Sequence, residues 1–97
     1  MDKVRQYSGF IKRIVTASAH VRAQLLKSSN FEIVTAIAEI IHNIIHKNIQ
    51  VPAATLKKLK KFKKTYHKLV AAKNAEARKK ILIANPKCLP PLRILFK

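Results

Sequence analysis

Positions Val4, Tyr7, Ile11, Ile14, Ser18, Val21 and Leu25 follow one another at alternating spacings of three and four. That spacing lines them up on one face of a helix over residues 3–27. Phe10 and Val15 widen the face into the broad stripe of a core-facing helix. Gly9 weakens the first turns, because glycine costs about 1 kcal/mol against alanine, and allows a later start near Ser8. Lys12, Arg13, Arg22 and Lys27 fall on the other faces and form a basic surface.

Ser28, Ser29 and Asn30 interrupt the pattern with cap-forming residues. Ser29 and Glu32 have the spacing of a capping box, in which each side chain satisfies a backbone N–H of the other residue. A second helix follows over residues 31–46. Ile33, Val34, Ile37, Ile40, Ile41, Ile44 and Ile45 give it a wide apolar face, extended by Ala36 and Ala38. Isoleucine loses rotamer freedom in a helix, so packing must hold this one, and it is predicted to be central. The same face would equally serve to close a homo-oligomer.

Asn48 supplies a C-terminal cap, and residues 49–51 are extended before Pro52, which opens the next helix. That third helix is predicted over 53–73, with Leu56, Leu59, Phe62, Tyr66, Leu69 and Val70 as its seam. Asn74 then acts as stop and N-cap for a short helix over 75–84, with Glu76 at its positive end. Ala77, Ile81 and Leu82 are predicted to face inward, and Arg78, Lys79 and Lys80 outward. Beyond Asn85-Pro86, prolines at 90 and 91 forbid a regular helix, while Leu89, Leu92, Ile94, Leu95 and Phe96 are too apolar for a free linker. The tail either covers one edge of the bundle or is a docking peptide. The expected fold class is therefore all-α: a bundle of three main helices plus a short fourth over 1–84, and an apolar extended Pro/Leu-rich tail over 85–97.

Charge changes this picture most. The 97 residues carry 21 Lys and Arg against Asp2, Glu32, Glu39 and Glu76, for a net +17 and a pI near 10.7. Such a value is the electrostatic footprint of a nucleic-acid-binding domain. Seven lysines lie between Lys57 and Lys68 with no acid among them. Like charges at helical spacing repel, so the run implies an anionic partner. Lysine neutralises phosphate as a point charge without reading bases, and arginines are few. The candidate contacts are Lys57, Lys58, Lys60, Lys61, Lys63, Lys64 and Lys68, joined by Arg78, Lys79 and Lys80. The expected partner is nucleic acid, DNA rather than RNA, bound with little sequence preference. Phe62 and Tyr66 belong to the core by spacing, with base stacking as the alternative. The rival readings are a module docking an acidic protein and a basic protein active at membrane surfaces.

Chemistry beyond binding has little to stand on. Gly9 is the single glycine, so phosphate-cradling loops are absent. Cys88 is the single cysteine, and packing is its expected role. Glu39, His42 and His46 share a helical face, and Glu-x-x-His occurs in bundle di-metal sites. The further carboxylates and histidines of such sites are missing, so no metal, no cofactor and no enzymatic activity are expected. No apolar run of 18 residues predicts a membrane span, and the opening residues MDKVRQYSGF lack the apolar core of a signal peptide.

Residues 31–95 resemble a family of short, basic, uncharacterised proteins of animal genomes and of Maverick/Polinton- or adintovirus-type virus-like elements. The resemblance rests on Asn43-Ile44-Ile45, then Asn48-Ile49, then the lysine- and leucine-rich stretch from Lys57 to Leu69. Arg78-Lys79-Lys80 before Ile81-Leu82, and Leu89-Pro90-Pro91-Leu92, complete it. The chain departs from the pattern at Lys47 and at Pro86-Lys87, where family members carry glycines. The resemblance implies a viral or mobile-element accessory protein of the genome-associated kind, hence the host nucleus or the virion. Without it, the expectation is an intracellular protein.

Overall fold

A computed structural model describes residues 2–46 and 50–96. The first apolar seam runs as predicted to Ile14 and then loses its phase. Residues 3–27 are not one helix but two, α1 (Asp2–Thr16) and α2 (Ala19–Ser28). Ser18 is not a seam position but the N-cap of α2, its hydroxyl accepting from the Val21 N–H at 3.4 Å. Past this break the buried positions advance by one residue. Arg22 and Leu26 are buried where Val21 and Leu25 were predicted, and Val21 lies exposed.

Arg22 explains how the break is tolerated. A terminating helix leaves its last carbonyls without partners. The Arg22 guanidinium folds back over the end of α1, with Nε donating to the Ile14 carbonyl at 2.9 Å and Nη2 to that of Ala17 at 2.5 Å. Arg22 therefore belongs to the interior rather than to a basic surface. Burial lowers its pKa from the ordinary arginine value.

The predicted Ser29–Glu32 capping box is absent. Ser29 instead closes α2, its buried hydroxyl donating to the Leu25 carbonyl at 2.7 Å. Asn30 caps α3 (Phe31–Ile45), its Oδ1 accepting from the Ile33 N–H at 2.9 Å. Glu32 accepts from the Tyr7 hydroxyl and so ties α3 to α1. α3 buries Ile33, Val34, Ala36, Ile37, Ala38, Ile40 and Ile41 against α1, the second of the lysine-bearing helices and the last α-helix. Its isoleucine face is thereby largely covered within the single chain. The cap predicted at Asn48, and residue 49 of the extended stretch, lie outside the described residues.

The third predicted helix is also divided. α4 (Ala53–Lys60) follows Pro52, which stands at the N-cap, and α5 (Lys63–Ala71) follows a tightened turn. In that turn the Lys61 and Phe62 N–H groups reach the carbonyls of Lys58 and Leu59, three residues back rather than four. The division falls within the lysine run, where i,i+4 repulsions of a few tenths of a kcal/mol each weaken a continuous helix. It also lets the two halves lean on different neighbours, α4 on the C-terminal segment and α5 on α3 and the following helix. α6 (Ala75–Ala84) has the predicted bounds and the predicted Asn74 cap, whose Oδ1 accepts from the Ala77 N–H at 2.8 Å.

The C-terminal segment is not extended. Pro86–Cys88 and Pro90–Phe96 form 3-10 helices. Prolines lack the N–H that an α-helix would demand of them, and short i→i+3 turns accommodate that lack. Cys88, Leu89 and Leu92 are fully buried, so the segment completes the core rather than standing off it. Tyr66 reaches across from α5, its hydroxyl donating to the Cys88 carbonyl at 2.5 Å. Among the described residues every regular element is helical, and no helix is long and apolar enough to cross a membrane.

Candidate nucleic-acid interface

The lysines of α4 and α5 sort themselves by helical phase. Thr55 and Leu59 of α4, and Tyr66 and Leu69 of α5, face the core. Opposite them, Lys57, Lys61, Lys64 and Lys68 recur at spacings of four, three and four, and all are exposed. Residues at such spacings stack on one helical face. They form an outward ridge, a row of four exposed ammonium groups, Lys57 and Lys61 before Phe62 and Lys64 and Lys68 after it. Lys58 flanks this ridge on one side. Leu56, Lys60, Lys63 and His67 form a second exposed ridge on the other side. Leu56 thus leaves the seam in which its spacing had placed it, and Thr55 takes the buried position.

Phe62 is half-buried at the bend, its ring tilted toward that of Tyr66 with centroids 6.3 Å apart. Tyr66 itself is buried, and its hydroxyl pKa is raised, first by burial and then by the nearby Cys88. Both rings therefore pack on the core, Tyr66 within it and Phe62 at its partly exposed edge.

The cluster Arg78-Lys79-Lys80 divides. Lys80 is exposed, whereas Arg78 and Lys79 are half-buried and hold helix ends together. The Lys79 ammonium donates to the Lys27 carbonyl at 2.9 Å and to that of Ser29 at 2.8 Å, strapping α6 to the end of α2. Arg78 Nη2 donates to the Ala72 carbonyl at 3.2 Å, at the end of α5, and its Nε is buried without a hydrogen-bond partner. The expectation that Arg78 and Lys79 point outward is thus corrected. The cause is the same for both: α2 and α5 end beside α6 with carbonyls that require donors.

Sequence reasoning missed these straps and the Arg22 staple. Its seam rule treats every cation as a solvent-facing residue. The one available signal was the Thr16-Ala17-Ser18 interruption, which marks a helix end in need of capping. Cys88 is fully buried, and burial pushes its thiol up to about 12, far from the thiolate that nucleophilic chemistry needs. His42, in the last turn of α3, and His46, at its C-cap, have ring centroids 4.3 Å from each other. Among the described residues no group of three or more His, Cys, Asp or Glu side chains is placed to hold a metal ion. Compared with known proteins, the chain matches no family model, no curated protein and no solved structure.

Proposed function

We propose that this chain is a nucleic-acid-binding protein that holds the phosphate backbone with little regard for sequence, DNA in preference to RNA. The observation that carries the reading is the ridge Lys57, Lys61, Lys64 and Lys68. Four exposed ammonium groups stand in register on a surface whose opposite face is fixed in the core. Lysine contributes charge and no bidentate base recognition, so affinity is electrostatic and sequence-tolerant. Lys58 and Lys80 extend the contact, as do Lys60 and Lys63 where the duplex covers the ridge beside them. Arg78 and Lys79 hold helix ends together and are not counted among the contacts. The resemblance to proteins of virus-like elements adds a role in packaging a viral-type genome, with the host nucleus or the virion as the place of action.

The test is a mobility-shift titration on unrelated duplexes at several salt concentrations. Four phosphates neutralised by the ridge contribute about −3.6 to the slope of log K against log salt, at about −0.9 per contact on B-DNA. Replacing Lys57, Lys61, Lys64 and Lys68 by glutamine should remove that part of the slope, leaving what Lys58, Lys60, Lys63 and Lys80 contribute, and weaken all duplexes about equally. Binding that is indifferent to salt, or a variant that keeps its slope, would remove the reading.

A further inference from the structure

Between the end of α3 and the outer side of α4 and α5 the surface opens into a groove of about 860 Å³. One wall is aliphatic, made by Ile44, Ile45 and Val51, with the buried Leu59 and Tyr66 at its base. The other wall is the ridge Leu56, Lys60, Lys63 and His67. Leu56 is 41% exposed, so a large aliphatic side chain faces solvent beside an apolar trough. The volume lies in the range of about 300–1,000 Å³ typical of ligand clefts.

The arrangement of charge chooses among occupants. A second copy of the chain would bring another +17 to a wall already lined with lysine. A single-headed amphiphile such as a fatty acid calls for cations gathered at one end of the trough. Here Lys60 at the end of α4 and Lys63 at the start of α5 succeed one another along the wall, with the His67 imidazole beyond them. A row of cations beside an apolar trough is the complement of an amphipathic helix that carries carboxylates along one flank of its apolar stripe. Among the described residues of the opposite wall the polar one is Gln50, which carries no charge, and the described lysines of the groove stand on the α4–α5 side.

We propose that this groove docks an acidic amphipathic helix of a partner protein. Its apolar stripe lies on Ile44, Ile45, Val51 and Leu56, and its carboxylates face Lys60 and Lys63. Lys60 and Lys63 are shared with the edge of the surface proposed for nucleic acid, but Leu56 and the apolar trough are not, and Leu56→Gln therefore tests the groove separately.

The probe is a synthetic helix with leucines at i, i+3, i+4 and i+7 and glutamates along one flank, followed by fluorescence anisotropy. Its control is a scrambled peptide of the same composition, which measures attraction to the net charge alone. The ordered peptide should bind the native protein at least about tenfold more tightly than the scramble, a difference of about 1.4 kcal/mol. Leu56→Gln, at an exposed position, should bring the ordered peptide down to the level of the scramble while leaving duplex DNA affinity unchanged. Reversing Lys60 and Lys63 to glutamate should weaken the acidic peptide and admit one in which lysines replace the glutamates. Equal affinity for ordered and scrambled peptides would overturn the proposal, as would indifference to Leu56→Gln. Displacement of the peptide by a fluorescent fatty acid bound in the groove would assign it to a lipid instead. Sedimentation showing a dimer that Leu56→Gln dissolves would assign it to a second copy.

Discussion

Single residues decide whether the breaks in this chain are tolerable. Arg22 offers charged donors to two carbonyls at the end of α1 from an almost fully buried position. Arg22→Ala leaves those carbonyls unpaired and should cost about 2–4 kcal/mol in urea denaturation. Arg22→Lys, lacking the fork, should recover less than half. Gly9 is the converse case. It sits within α1, and a Cβ built there meets nothing within 4 Å. Gly9→Ala should therefore stabilise the protein by about 0.5–1 kcal/mol in the same measurement. Cys88 and Tyr66 set an alkaline limit. Both have pKa values raised by burial, and that of Cys88 reaches about 12 from an ordinary value near 9. The unfolded chain releases these protons first, so the stability they contribute is complete below pH 9 and is lost as pH climbs toward 12. Thermal melts across that window should fall for the native chain. Cys88→Ala should flatten the part of the fall that begins near pH 9; an unaltered profile would mean that Cys88 is not its source.

At the level of elements, the pattern of apolar residues was a good guide wherever the core alone decides. α6 has its predicted bounds, α3 its predicted face, and the first seam holds to Ile14. It failed at the two divisions, after Thr16 and after Lys60, for physical reasons that periodicity does not carry. At the first, a small polar interruption ended the helix, and an arginine took the place of an aliphatic residue in the next turn. At the second, like charge weakened the helix while its halves met different neighbours. The site was legible in kind but not in detail. Spacing identified the lysine run, yet it could not tell the ridge from the groove wall, nor the cations that face solvent from those that cap helices. One consequence separates stability from function. Replacing Lys57, Lys61, Lys64 and Lys68 by glutamine removes i,i+4 repulsion along α4 and α5, worth a few tenths of a kcal/mol per pair. The variant should melt slightly higher at low salt while losing affinity for DNA; a lower melting temperature would mean that these side chains support the fold.

The whole molecule concentrates a net +17 in a body of 32 × 28 × 26 Å. The whole body spans only about three Debye lengths, since that length is about 10 Å at 0.1 M salt, so neighbouring charges are incompletely screened from one another. Self-repulsion thus opposes the folded state, and added salt relieves it. Sodium chloride raised from about 0.02 to 0.2 M, over which the screening length shortens severalfold, should raise the melting temperature, by roughly 4–8 °C for each kcal/mol gained. A flat or falling response would place the charges too far apart to matter. The same addition weakens phosphate binding. If the chain binds nucleic acid as proposed, stability and affinity should therefore move in opposite directions with ionic strength.

The strap made by Lys79 divides the lysines by chemical reactivity. An acylating reagent modifies free amines, and Lys79 holds its ammonium between two carbonyls at a half-buried position. Acetylation in the folded state should reach Lys57, Lys61, Lys64 and Lys68 early and Lys79 late, as read peptide by peptide in a mass spectrometer. Removing charge from the ridge leaves the framework whole, whereas acylating Lys79 severs α6 from the end of α2. Partial modification would thus yield folded molecules of graded charge, and loss of structure would begin only when the last amine is taken.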